Sequence, residues 1–421
     1  MKIIQSLQYR NFRLYLMGQT ISLIGTWMQQ LAISWLVYRL TNSSFWLGIV
    51  TFATQIPTFV LGLFAGVLVD RVNRHKLLIW VQCLFTIQAL LLATLTLSGH
   101  ITLSWLIGLG LIAGILNAVD MPTRQSFVVQ MIGDKKDLAN AIALNSSVMH
   151  GTRLIGPAIA GILVATVGEG VCFLLNAVSF IAVIFALLSM KALVVNQLKP
   201  AEPLLHSLRE GYKAAFGFAP ISKMLILLSF VSLFGLAYNT LFPQFATQVL
   251  HGDAHTLGML TAFAGLGAFT GSIYLATRKN ILYLGKFIGV GTCLFGLSLV
   301  GFAISHTTVP AAFFVFCTGV TMMLQLASSN TLIQTLVEDD RRGRVMSFYT
   351  LCIMGISPFG NLLMGGAAEK YGITKSLCVL GSICFVGGVW FLFQRKELSR
   401  QVAPIYKVLG LVTDPVPEGV F

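Results

Sequence analysis

The chain has 421 residues, of which 56% are hydrophobic and only 10% charged, and it holds 40 glycines. A soluble domain carries about 25% charged residues, so a water-soluble enzyme, a nucleic-acid binder and a secreted disulfide module are excluded. The net charge of +13 must therefore have another explanation than nucleic acid.

Residues 14–38, 40–69, 77–119, 224–252, 254–277, 287–337 and 345–368 contain no Asp, Glu, Lys or Arg. About 20 apolar residues cross a bilayer as a helix, so each run predicts one span or more. The third run breaks at Ser98-Gly99-His100 and the sixth between Ser305 and Pro310, so both read as two helices joined by a tight turn. Residues 138–167 (with the single charge Arg153), 171–190 and 376–394 complete twelve predicted spans. The expected organisation is a six-helix bundle over 1–190, a cytoplasmic linker over 191–223, a second six-helix bundle over 224–394 and a cytoplasmic tail over 395–421.

With a cytoplasmic N-terminus, all of the 28 basic residues except Arg39, Arg153, Lys370 and Lys375 fall on the cytoplasmic side. That bias is the positive-inside rule, and an even number of spans places both termini inside. The basic excess sets topology. No signal peptide is expected from Met1-Lys2-Ile3-Ile4-Gln5-Ser6. The seven cysteines lie in spans with no Cys-x-x-Cys pair and read as small apolar packing residues.

The halves look like diverged copies. Gln130 to Lys136 precedes the fifth span as Thr335 to Arg341 precedes the eleventh, and Leu47-Gly48 opens the second as Leu257-Gly258 opens the eighth. Repeats related by an axis along the membrane normal place a substrate site at their interface near mid-membrane. Gly62/Gly66, Gly110/Gly114 and Gly267/Gly271 have the small-xxx-small spacing that lets helices approach closely.

The run Gly66-Val67-Leu68-Val69-Asp70-Arg71-Val72-Asn73-Arg74-His75-Lys76 resembles the loop signature of the major facilitator superfamily, Gly-x-x-x-Asp-Arg-x-Gly-Arg-Arg. Asn73 stands for the second glycine, as a residue that tolerates the left-handed turn, and His75 stands for the last arginine. The resemblance covers essentially 9–394. Tyr9 to Arg13, Trp27 to Tyr38, Asp120 to Gln125 and Arg342 to Ser347 are similar to the drug and siderophore efflux subgroup, which contains the enterobactin exporter and macrolide efflux pumps. Gly156-Pro157-Ala158-Ile159-Ala160-Gly161 resembles the antiporter signature, although Ala143, Thr152 and Ala160 stand where that signature has glycine.

The resemblance implies an all-α membrane protein with twelve transmembrane helices in two pseudo-symmetric six-helix bundles, working as a monomer by rocker-type alternating access. It implies the bacterial inner membrane, a small-molecule substrate and efflux by proton antiport, with no cofactor, metal or nucleic acid. It also implies a gate of Gly66, Asp70, Arg71, Arg74, Asp120 and Arg124. There Asp70 meets a helix N-terminus whose dipole favours a carboxylate, and Arg71 or Arg74 pairs with Asp120. A solvated turn that merely fixes topology is the other reading of the same residues.

No phosphate-binding loop occurs, so energy is expected from a gradient, and no catalytic constellation stands out. Arg153 lies near mid-membrane, where an arginine costs roughly 2.5–3.5 kcal/mol on insertion scales and usually faces the bundle interior or a wet cavity. It either bonds helix carbonyls or Asn145, or binds an anionic or oxygen-rich substrate through its fork. His150 lies one turn earlier on the same face. Gln29, Gln30, Gln55, Asn117, Tyr238, Asn239, Gln325 and Asn330 are polar groups in spans and candidates to line the cavity. No acidic residue stands at mid-membrane; Asp120 comes nearest, as gate partner or proton site. His251, Asp253 and His255 are weak as a metal set. The leading function is export of an amphipathic siderophore or drug-like compound. A siderophore or nutrient importer and a lysophospholipid flippase remain open on the same fold.

Overall fold

In hydrocarbon every backbone N–H and C=O needs an internal partner, which leaves the helix as the only open-ended way to cross. The computed structural model of the chain describes residues 5–190, 204–278, 282–408 and Phe421, and these are almost entirely helical. In order they form α1 (Arg10–Thr41), α2 (Ser44–Arg71), α3 (Arg74–Leu97), α4 (Leu103–Met131), α5 (Lys135–Val167) and α6 (Glu169–Leu188). Then come α7 (Leu204–Phe216), α8 (Ala219–Phe234), α9 (Phe242–Gln244), α10 (Ala254–Thr277), α11 (Leu284–Ala303) and α12 (Thr308–Leu336). The last are α13 (Asp339–Thr350), α14 (Ser357–Tyr371) and α15 (Ile373–Val408).

Two passes are interrupted. Between α8 and α9 the chain tightens into a 3-10 turn over Leu236–Leu241, and a π-turn over Phe245–Val249 follows. A second π-turn, Leu351–Gly355, separates α13 from α14 just before Pro358. With each interrupted pair counted as one pass, and α7 set apart, the described residues make twelve passes. Eleven of them are long and apolar enough to cross a membrane; α1 carries Gln19, Ser22, Gln29 and Gln30 and is less apolar. The chain is a multi-pass membrane protein.

The turns follow from local chemistry. Asn42 ends α1 in the left-handed conformation at φ 47°, with its N–H on the Tyr38 carbonyl. Gly168 supplies φ 87° between α5 and α6, where a Cβ would be strained. Asn73 departs from the left-handed turn expected of it. It is extended, at φ −70°, and its side chain accepts the Lys76 N–H at 3.1 Å, because asparagine is among the best N-caps.

The chain divides into two compact units. Unit one comprises α1 to α6 with Phe242–Ala262, and unit two comprises α7 and α8 through Leu241 with everything from Phe263 onward. In unit one α1 packs on α5 and α6, α2 on α4, and α3 on α4 and α6. Its core joins Phe12, Tyr15, Phe127 and Leu187, with Phe85 stacked on Phe180 at 5.3 Å. A Cβ on Gly110 would lie 2.7 Å from the Thr54 hydroxyl, and one on Gly114 would strike the Thr54 carbonyl, so this pair does bring α2 and α4 together. Gly62 has open space around it. In unit two α11 packs on α12 and α15, α8 on α14 and α15, and α7 on α13. The Phe421 ring is buried there, 6.2 Å from that of Phe391.

Candidate functional site

The uncharged run that suggests a fourth span stops before Asp120, yet α4 continues through Pro122 to Met131. Asp120 and Arg124 therefore sit one turn apart on a continuous helix, on one face. Asp120 is 7% exposed; its carboxylate takes the Arg124 Nε–H and, from α3, the Gln82 Nε2–H at 3.0 Å. Arg124 also bonds the Tyr15 hydroxyl from α1. A buried carboxylate survives only when paired and hydrogen-bonded, and three helices meet that need here.

Arg71 ends α2 exposed and Arg74 opens α3 half-buried. Gly66 and Asp70 lie in α2, but their surroundings fall outside the described residues. Next to Arg74, His75 bonds the Leu187 carbonyl through Nε2 at 2.8 Å and stacks on Phe127 at 5.8 Å. Its neighbours are thus those of a packed side chain.

On α5 the half-buried Arg153 places its guanidinium carbon 5.4 Å from the centroid of the Trp27 ring, within the range of a cation–π contact. Gly156, one turn further, makes this contact possible. A Cβ there would lie 2.6 Å from the Trp27 Cβ and 2.9 Å from the Ile24 carbonyl, so only glycine lets α1 come this close. Pro157 follows, and Gly161 meets Gly258, where an added Cβ would be 2.8 Å from the opposing Cα. His150 lies half-buried on the same helix.

Gln29 is engaged inside unit one. Its Oε1 accepts the Asn176 Nδ2–H at 2.8 Å and its Nε2 donates to Gln88 Oε1 at 3.3 Å. Gln88 in turn donates to the Leu109 carbonyl at 3.3 Å. This uncharged chain links α1, α3, α4 and α6. Gln30 and Asn117 are exposed, and Gln55 is half-buried.

In unit two Tyr238 and Asn239 belong to the 3-10 turn, with the Tyr238 ring edge-on to Phe295 at 6.1 Å. Gln325 is 1% exposed, and Asn330 accepts the amide of Gln334. Asp253 caps α10 by accepting the Thr256 N–H at 3.2 Å. Among the described residues no His, Cys, Asp and Glu cluster is arranged to hold a metal.

Sequence reasoning missed Gln82, Gln88, Asn176 and Glu210. The first three were visible as amides in otherwise apolar spans, and such groups need partners in lipid. Glu210 was hidden in the polar linker, yet it pairs with Arg344 of the Arg342-Gly343-Arg344 motif.

Comparison with known proteins bears on this geometry. The family model described as transmembrane secretion effector matches residues 4–403. The staphyloferrin A transporter of Staphylococcus aureus is 26% identical over 90% of this chain and 95% of its own length. An enterobactin exporter of Citrobacter koseri is 25% identical over 97% and 95%. Among solved structures, a bacterial homologue of the human lysosomal transporter Spinster, inward-facing and unoccupied, superposes with a TM-score of 0.73 at 15% identity, covering 94% of this chain and 98% of that one. That last likeness speaks for the fold alone.

Proposed function

The chain belongs to the transmembrane secretion effector family of the major facilitator superfamily, and from that premise we propose that it exports an anionic, oxygen-rich molecule of the siderophore type. It is a membrane transporter and not an enzyme. Arg153 carries the proposal: a half-buried arginine inside a span, stacked over Trp27, is a fixed cation with an aromatic wall. Its fork suits carboxylate and other paired oxygens, and Trp27 suits an amphipathic body. The names of the two curated relatives, one a siderophore transporter and one a siderophore exporter, support the same substrate class.

Proton exchange drives the cycle, and the protein works by alternating access as a monomer in the bacterial inner membrane, with both termini in the cytoplasm. The gate is the loop of Gly66, Asp70, Arg71 and Arg74 with Asp120 and Arg124. His150, Gln30, Gln55, Asn117, Tyr238, Asn239, Gln325 and Asn330 contribute polar contacts along the route, and Gly156, Pro157 and Gly161 keep it tight.

The test compares cells with and without the protein. Export predicts less siderophore inside and more in spent medium when the protein is present; the reverse distribution means import. An imposed pH gradient across vesicles should drive substrate movement, and flux indifferent to it removes the antiport step.

A further inference from the structure

Unit two carries an apolar groove of about 280 Å³ lined by Phe216, Ile226, Ser229, Phe230, Leu233 and Ile356. Its long wall is one face of α8, since Ile226, Phe230 and Leu233 follow each other at helical spacing. Lys223 stands one turn before Ile226, its Nζ 5.3 Å from the Trp390 ring centroid. A lysine stretched toward the boundary beside a tryptophan marks the headgroup level of a bilayer. From Lys223 to Leu233 is about 15 Å along the helix axis, half of the roughly 30 Å hydrocarbon core. Lys223 and the α8 wall together thus span about one leaflet, of which the lined stretch Ile226 to Leu233 takes about 10 Å, with a cation at the polar end.

The roof of the groove is α7. Tyr212 stacks on Phe216 at 4.9 Å and both ring systems abut Phe348, at 6.3 and 6.0 Å, while Glu210 pairs with Arg344. This fastens α7 to α13 and points Phe216 into the groove. Lys213, exposed and one turn before Phe216, shares its face and brings a second cation to the mouth. The acid of α7, Glu210, is already engaged by Arg344.

We propose that this groove binds one anionic phospholipid, its phosphate between Lys213 and Lys223 and one acyl chain along Ile226, Phe230 and Leu233. The two lysines select a negative headgroup, and the apolar wall takes part of an acyl chain. The lipid is a bound component of unit two, independent of what the protein transports.

The experiment uses the full chain, purified in detergent and observed by native mass spectrometry with dioleoyl phosphatidylglycerol or dioleoyl phosphatidylcholine as probe. The wild type should retain one phosphatidylglycerol at least about tenfold more tightly than phosphatidylcholine, as two lysines near an anionic headgroup imply. Lys213→Gln with Lys223→Gln should erase that preference, and Ile226→Trp, at an exposed position, should fill the groove and remove the bound lipid. Lipid-free thermal unfolding of each variant in detergent confirms that the fold is kept. Equal retention of both lipids by the wild type, or undiminished retention by a folded Ile226→Trp, would overturn the proposal.

Discussion

Asp120 and Gln325 occupy the same place, the eighteenth residue, in two helices of 29 residues, α4 of unit one and α12 of unit two. Both are buried, 7% and 1% exposed, but their surroundings differ. Asp120 is held by Arg124 and Gln82. Among the described residues Gln325 has no hydrogen-bond partner on either end of its amide, and neither has the hydroxyl of Ser328 one turn on. A buried charge demands partners because its desolvation costs several kcal/mol. A neutral amide can be tolerated unpaired at about 1–3 kcal/mol. Unit one has therefore built a network around a charge, while unit two, with no charge at that place, has left a polar group that another partner could engage.

The sharpest way to break this contrast is Arg124→Leu, which strands the Asp120 carboxylate. It should cost about 3–5 kcal/mol, read as a lowered unfolding midpoint of the purified protein; an unchanged midpoint would mean that the pair is not what holds the charge. Asn176→Leu probes the neutral chain of unit one by removing the donor to Gln29, and should cost about 1–3 kcal/mol in the same assay. Gln325→Met should behave in the opposite way. With no hydrogen bond to lose it should leave stability unchanged or raise it by up to about 1 kcal/mol, and a clear loss would show that the amide has a partner after all. The smallest effect belongs to Glu210→Gln. Its pair with Arg344 is partly solvated, at 43% and 27% side-chain exposure, so less than about 1 kcal/mol is expected.

The twelve passes were legible because lipid exposure writes itself as long uncharged runs. Helix extents were not, since a helix goes on past the hydrocarbon wherever its backbone bonds continue. Thus α4 runs on through Asp120 to Met131 and α15 through Arg395 to Val408, where the charge pattern suggested a span end and a tail. The breaks at Leu236–Leu241 and Leu351–Gly355 left no mark in hydropathy, because a change of hydrogen-bond spacing alters no side chain's polarity. At the candidate site Arg153 stood out as a charge in a span. Its pairing with Trp27 did not, since the contact depends on Gly156 allowing two backbones to approach. Gln82 was overlooked for the same reason: which buried amide reaches Asp120 is a matter of packing between α3 and α4.

The central claim is that Arg153 is a substrate-binding cation in a proton-driven exporter. Its most direct test is uptake of an anionic, oxygen-rich siderophore into inside-out membrane vesicles energised by a proton gradient, comparing the wild type with Arg153→Leu at equal amounts of folded protein. The account predicts gradient-dependent accumulation by the wild type and a loss of at least about tenfold, the equivalent of ~1.4 kcal/mol, in the variant. Full accumulation by Arg153→Leu would contradict it.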